Sequence, residues 1–183
     1  MEYFETVKLK DGRTCVLRNG TARDAAEVIR VFALTHAQTD YLLSYPDENV
    51  MTVEKEAVYL QNKTDSGNEI EILAEVDGVL VGLAGISCVG AREKIRHRAE
   101  FGISVDRACW GVGIGRALMN ACIECAKRAG YVQMELSVVA ENEAAIALYK
   151  SVGFTEFGRN PKAFRSRCSG WQELVDMRKE LTD

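Results

Sequence analysis

The segment Trp110-Gly111-Val112-Gly113-Ile114-Gly115-Arg116 carries the chemistry most directly legible in this chain. It lies between a strand-like apolar run, Arg98 to Val105, and a long amphipathic stretch that begins at Ile114. Glycines at such a junction let the backbone approach a ligand closely, and the first helical N–H groups lack internal partners at the positive end of the helix dipole. That combination binds phosphate; taken alone, the same glycines also fit a purely structural tight turn. The spacing is neither G-x-G-x-x-G nor G-x-x-x-x-G-K-[ST], and the turn stands far from the N-terminal strand where a dinucleotide fold carries its fingerprint. Without a lysine in the turn or an evident magnesium ligand after it, a mononucleotide site is poorly supported. Downstream, Asn142 can cap a short helix that presents Tyr149. The tyrosine ring can pack in the core while its hydroxyl faces a cleft. Glu100 interrupts the apolar run before the turn, where an ionisable group needs either a polar cleft or a salt bridge to Lys94, Arg96 or Arg98.

The elements that must position these groups follow from periodicity. Residues 7–18 read as a first strand ended by Asn19-Gly20. Thr21 can cap a helix with Asp24 in its first turn and Ala25, Val28, Ile29, Phe32 and His36 on one face. A second helix is expected from about Thr52 to Gln61, after a loop with Tyr41, Tyr45 and Pro46. The runs Ile70 to Val76 and Val79 to Ser87 flank Asp77-Gly78, a hairpin signal, and Arg98 to Val105 extends the sheet. Ile114, Ala117, Leu118, Ala121, Cys122, Cys125, Ala126 and Ala129 keep helical spacing up to Gly130. Val132 to Val139 alternates as a strand, a helix with Ala145, Leu148, Tyr149 and Val152 on its apolar face closes at Gly153-Phe154, and Trp171 to Met177 supplies a last strand. The expected fold is α/β (α+β): one domain over residues 1–183, with a mixed, mostly antiparallel sheet of six to seven strands and helices on both faces.

The 183 residues suffice for one core without disulfide staples. A net charge of -4 argues against non-specific nucleic-acid binding. The acidic opening Met-Glu-Tyr-Phe-Glu lacks the order of a signal peptide and no apolar run is long enough to span a bilayer, so a cytoplasmic location without a membrane partner is expected. The six cysteines suit reduced thiols; Cys122-x-x-Cys125 would need further ligands for zinc, only His36 and His97 supply histidine, and no metal is expected. An acyl-cysteine route through Cys109 has no histidine close in sequence to support it.

Together, the order strand, W-G-V-G-I-G-R-A-L, helix, strand and N-E-x-A-x-x-L-Y-x-x-x-G-F resembles the GNAT superfamily of N-acetyltransferases, clearly over Ala99 to Phe157. The resemblance implies the acyl-CoA N-acyltransferase fold and acetyl-CoA as cosubstrate. It implies that Gly111, Val112, Gly113, Ile114 and Gly115 cradle the pyrophosphate, with Arg107 and Arg116 as nearby cations. It further implies that Ile103, Ser104 and Val105 offer backbone hydrogen bonds to the pantetheine arm, which Asn142 also touches. Trp110 departs from the arginine or glutamine usual at the start of this turn, a change expected to alter packing around the cofactor more than binding. Tyr149 is the implied proton donor to the leaving thiolate. Glu100 is the implied base, with partial burial expected to raise its pKa, and a water relay is the alternative. The acceptor is a primary amine of a small molecule or amino acid; the rivals are a protein N-terminal or lysine acetyltransferase and a non-catalytic acetyl-CoA sensor. Similar proteins are often homodimers, here by pairing through the apolar C-terminal strand.

Overall fold

The computed structural model describes residues 1–181, and its first segment forms two strands, β1 (Phe4–Lys8) and β2 (Thr14–Asn19), where the sequence suggests one. The Asp11-Gly12 turn separates them, closed by the Leu9 N–H donating to the Arg13 carbonyl at 2.9 Å. Helix α1 (Ala25–Gln38) begins after a short 3₁₀ turn organised by Asp24. The Asp24 carboxylate accepts from the Thr21 N–H (2.8 Å) and hydroxyl (2.9 Å) and from the Arg18 guanidinium (2.7 and 2.9 Å). The buried face of α1 is Ala25, Val28, Val31 and Thr35, one residue round from the expected stripe. Phe32 and His36 are half-buried instead, stacked with centroids 3.6 Å apart. Helix α2 (Val53–Asp65) starts at the predicted cap, where Thr52 Oγ1 accepts from the Lys55 N–H at 3.3 Å, and runs past the expected end.

Strands β3 (Ile70–Val76), β4 (Val79–Cys88) and β5 (Arg98–Val105) form the expected antiparallel meander. Helix α3 (Ile114–Arg128) buries Ile114, Leu118, Ala121, Cys122, Cys125 and Ala126 of the predicted stripe. It is followed by β6 (Gln133–Val139) and α4 (Glu143–Ser151). The chain then forms a long hairpin, β7 (Thr155–Ser166) with β8 (Gly170–Glu180). The unforeseen β7 is almost wholly exposed and its register slips around Pro161, so it lacks the alternation that marks a half-buried strand. Among the described residues the sheet therefore has eight strands, in the order β1-β2-β3-β4-β5-β6-β8-β7. Both sides of β8 are occupied, by β6 and β7, so the C-terminal strand is not the free edge expected for pairing with a second subunit.

One face of the sheet packs against α3, the other against α1 and α2, each through its own hydrophobic cluster. Among the described residues no helix is long and apolar enough to cross a membrane. Among the described residues the only parallel ladder joins β5 to β6, and it lasts for three pairs, Arg98↔Gln133, Ala99↔Met134 and Glu100↔Glu135. Beyond it β5 follows β4 as far as Val105 while β6 follows β8 as far as Val139. The two strands diverge because each is held by its other neighbour.

Phe154, just after α4, is 2% exposed and packs near Tyr149, ring centroids 6.1 Å apart. Phe157, three residues on, is 51% exposed. Phe154→Ala is expected to cost about 3–5 kcal/mol in urea unfolding, and Phe157→Ala under about 1 kcal/mol.

Candidate active site

A cavity of about 490 Å³ opens where β5 and β6 part. Of the residues expected there, Ile103, Ser104, Val105, Trp110, Gly111, Gly113, Gly115, Arg116, Asn142 and Tyr149 line it. Val112 and Ile114 do not: the Val112 carbonyl accepts the Lys10 N–H at 2.9 Å, and the Ile114 side chain is 1% exposed in the core. That Val112 bond brings Lys10 to the cavity wall, a cation that no sequence signal placed there. Thr35, Thr39, Tyr41 and Leu42 complete the wall from the end of α1 and the loop after it.

The turn before α3 is built for close backbone approach. Gly111 and Gly113 have φ of 79° and 110°, and nothing stands within 4 Å of where a Cβ would be at either. The helix ladder begins with the Ala117 N–H donating to the Gly113 carbonyl at 3.1 Å, leaving the N–H groups of Ile114, Gly115 and Arg116 without helical partners. Gly115, besides bordering the cavity, serves packing, since a Cβ there would lie 3.3 Å from Leu148 of α4. Upstream, Asp106 accepts from the Ala108 N–H (3.1 Å) and from Gln38 of α1 (2.9 Å). Trp110 fixes the turn by donating its indole N–H to the Val105 carbonyl at 2.7 Å. Arg107 stacks over Trp110 and donates to the Gln38 carbonyl, while Arg116 donates to Ser151 Oγ at 2.9 Å.

Asn142 caps α4, its side-chain oxygen accepting from the Ala145 N–H at 3.2 Å, and still borders the cavity. Tyr149, about two turns further on, is 7% exposed and meets Phe101 edge-on at 6.4 Å. Burial pushes its phenol up to about 12, so it remains protonated at neutral pH. Glu100 corrects an expectation: it is exposed, not partly buried, and stands in the last β5–β6 pair outside the cavity lining. Arg98 does not engage it, because its guanidinium pairs with Glu135 at 2.7 Å. His97 is exposed, as expected. Cys109, Cys122 and Cys125 are buried free thiols; burial raises the Cys125 thiol to about 11 and the Cys122 thiol well above its usual range. Among the described residues no group of three or more His, Cys, Asp or Glu is arranged to hold a metal.

A second cavity, of about 780 Å³, adjoins the first and shares Thr39, Tyr41 and Trp110 with it. Its outer wall is the β7–β8 hairpin, latched to the loop after α1. Asp40 accepts from Ser166 (2.5 Å), Ser169 (3.0 Å), Tyr45 (3.2 Å) and Gln172 (3.3 Å). The Ser166 bond leads the effects that hold the Asp40 carboxyl below its usual range. Arg167 lies over the Tyr45 ring and pairs with Asp47 at 2.8 Å. Arg107, Glu141 and Trp171 also line this space.

Comparison with known proteins agrees with this geometry. The chain is 41% identical over 92 residues to the N-alpha-acetyltransferase RimI of Mycobacterium tuberculosis, a match covering 50% of this chain and 56% of that protein, so it spans about half the length of that relative. It is 29% identical over 149 residues to the L-amino acid N-acetyltransferase AaaT of Escherichia coli strain K12, covering 80% and 86% of the two chains. The Salmonella typhimurium protein yncA, solved with its cofactor acetyl-CoA, shares the fold with a TM-score of 0.80 at 22% identity, over 92% of this chain and 95% of that one. Residues 34–154 match the Acetyltransferase (GNAT) family, the span that contains the parting strands, the glycine turn and Tyr149, and the chain belongs to that family.

Proposed function

We propose that this protein transfers the acetyl group of acetyl-CoA to the primary amine of a small molecule, with amino acids as the acceptor class. The observation that carries the acceptor class is the second cavity. A latched hairpin forms one wall of it beside the first, giving a space of molecular size next to the cofactor cleft. Arg107 and Glu141 bring charge of both signs to its wall, as suits an acceptor bearing an ammonium and a carboxylate. The amino-acid acetyltransferase among the relatives supports the same choice.

When bound, acetyl-CoA supplies the activated acyl group as a thioester. The residues present suit it: free N–H groups and positive φ at the glycine turn for the pyrophosphate, with Lys10 and Arg116 alongside. From Phe101 onward, the edge of β5 that faces away from β4 has left its β6 partner, so the segment from Ile103 to the Val105 N–H offers backbone groups to the pantetheine amides and the thioester carbonyl, the Val105 carbonyl being held by Trp110. Tyr149, a neutral phenol on the same wall, donates a proton to the departing sulfur. Glu100, exposed beside the last strand pair, presents a carboxylate to the incoming ammonium.

The first test is thiol release from acetyl-CoA against amino acids, polyamines, aminoglycosides and short peptides. Release with amino acids is expected, and Tyr149→Phe should lower kcat about tenfold or more with coenzyme A binding retained. Preference for peptides would instead make the acceptor a polypeptide amine, and tight cofactor binding without release from any amine would indicate a sensor. Lys10→Ala should weaken coenzyme A binding by roughly threefold to tenfold in calorimetry, with the loss shrinking as salt rises. Asp40→Ala, which unlatches the hairpin, should raise the KM for the amine about fivefold or more and leave the KM for acetyl-CoA nearly unchanged.

A further inference from the structure

On the face of the sheet that carries α1 and α2, the register of β3, β4 and β5 sets Glu71, Gly85 and Gly102 in one row. Residues paired in this way project to the same face from backbones about 5 Å apart. Gly85 has no side chain, and the Glu71 carboxyl lies over it, so that a methyl at position 85 would overlap Glu71 Oε2. Next in the row, Gly102 is exposed, and nothing stands within 4 Å of where its Cβ would be. Glu71 is itself only 9% exposed. It is rooted on an interior strand and reaches across β4 over Gly85, on the side of the row that ends at the open space above Gly102.

Glu71 itself lines neither cavity; its link to the cofactor cleft runs through the neighbouring row. The next row is Leu73, Leu83 and Ser104, and Ser104 lines the cavity between the parting strands. Glu100 stands on the far side of Gly102, paired with Ser87. Along β5 it is four residues from Ser104, roughly 13 Å, whereas the Glu71 carboxyl over Gly85 is two residues along and one strand across, roughly 8 Å. An ion pair does not account for Glu71. Lys63, 4% exposed on α2, is committed to the Ile86 carbonyl (2.9 Å), Ser87 Oγ and the Glu69 carboxylate (3.2 Å). Glu56, Tyr59 and Lys63 face Glu71 from α2, Glu69 lies two residues back on its own strand, and Cys122 faces it from α3 through the sheet. Burial raises the Glu71 carboxyl to about 7, with Lys63 opposing and Glu56 reinforcing the shift.

Resting on acetyl transfer as the activity, we infer that Glu71 is the base of the reaction, taking a proton from the acceptor's ammonium in the gap above Gly102, while Glu100 draws the cation to the mouth. The N–H bond pair stays on nitrogen and forms the N–C bond to the thioester carbon. The C–S bond breaks toward sulfur, the thiolate takes the Tyr149 proton, and the phenolate recovers one from the acylated nitrogen. Glu71 releases its proton to solvent, so the products are the amide, the thiol and one proton.

The test is the pH dependence of kcat/KM for the parent, Glu71→Gln, Glu71→Asp and Glu100→Gln, with the amine that supports thiol release. The base must be ionised, so parent activity should fall as pH drops through about 7. Glu71→Gln should lose this acid limb and about tenfold or more in kcat at an unchanged KM for acetyl-CoA. Glu71→Asp, with its carboxylate drawn back from Gly102, should keep a limb at lower kcat, and Glu100→Gln should keep the limb and raise the KM for the amine. An unchanged limb in Glu71→Gln, or loss of the limb in Glu100→Gln, overturns the assignment and leaves acetyl transfer standing. If Glu71→Gln does not fold, a Glu71→Asp profile identical to the parent overturns it. Thiol release with no amine overturns the transferase reading, and the role of Glu71 with it.

Discussion

The parallel ladder between β5 and β6 ends after Glu100↔Glu135, and the site depends on where it ends. A longer ladder would tie up the backbone groups of Ile103 to Val105 and close the cavity. A shorter one would detach β6 and its helix from the meander. The length is fixed from outside: β4 holds β5 to its last residue, β8 holds β6 to its last residue, and the twist of each pair carries the two strands apart. Buried backbone donors and acceptors are costly to leave unpaired, so an interior strand with an open edge marks a place where another molecule completes the sheet.

Around that opening, the two helix starts do different work. At α3 the glycine turn exposes N–H groups toward the cavity, with Lys10 and Arg116 on the same wall. At α4 the Asn142 side chain satisfies one N–H of its own helix, and the helix carries Tyr149 into a largely apolar setting against Phe101 and Phe154. The charge on the cofactor wall is thus cationic at the pyrophosphate end and absent around the phenol. The carboxylates Glu71, on β3, and Glu100, on β5, share the face of the sheet that carries α1 and α2.

The acceptor side is made by the least regular parts of the chain. The loop after α1 and the tip of the β7–β8 hairpin are held together mainly by the half-buried Asp40 and by the solvent-exposed Arg167–Asp47 pair, both polar. Such contacts define a pocket without rigidifying it, in contrast to the cofactor side, whose walls are strands and helices of the main core.

Much of this arrangement was legible in the residues themselves. The spacing of Ile114 to Cys125 specified α3, Asp77-Gly78 specified the β3–β4 hairpin, and the glycine turn with Asn142 and Tyr149 marked the cofactor half, because each is a local pattern whose geometry follows from a few neighbouring residues. The sequence did not reveal β7, whose exposed and bulged residues carry no alternation, or the arrival of Lys10 at the turn through one backbone bond to Val112. Glu71 interrupts an apolar run just as Glu100 does, yet nothing local distinguishes the two. Their difference lies in strand register: Gly85 beside one leaves room for a buried carboxyl, and the end of the ladder beside the other leaves it in solvent. Local pattern therefore determined which elements form and where phosphate can bind, whereas burial, and with it the state of each ionisable group, was decided by which strands became neighbours, a choice made by contacts far apart in the chain.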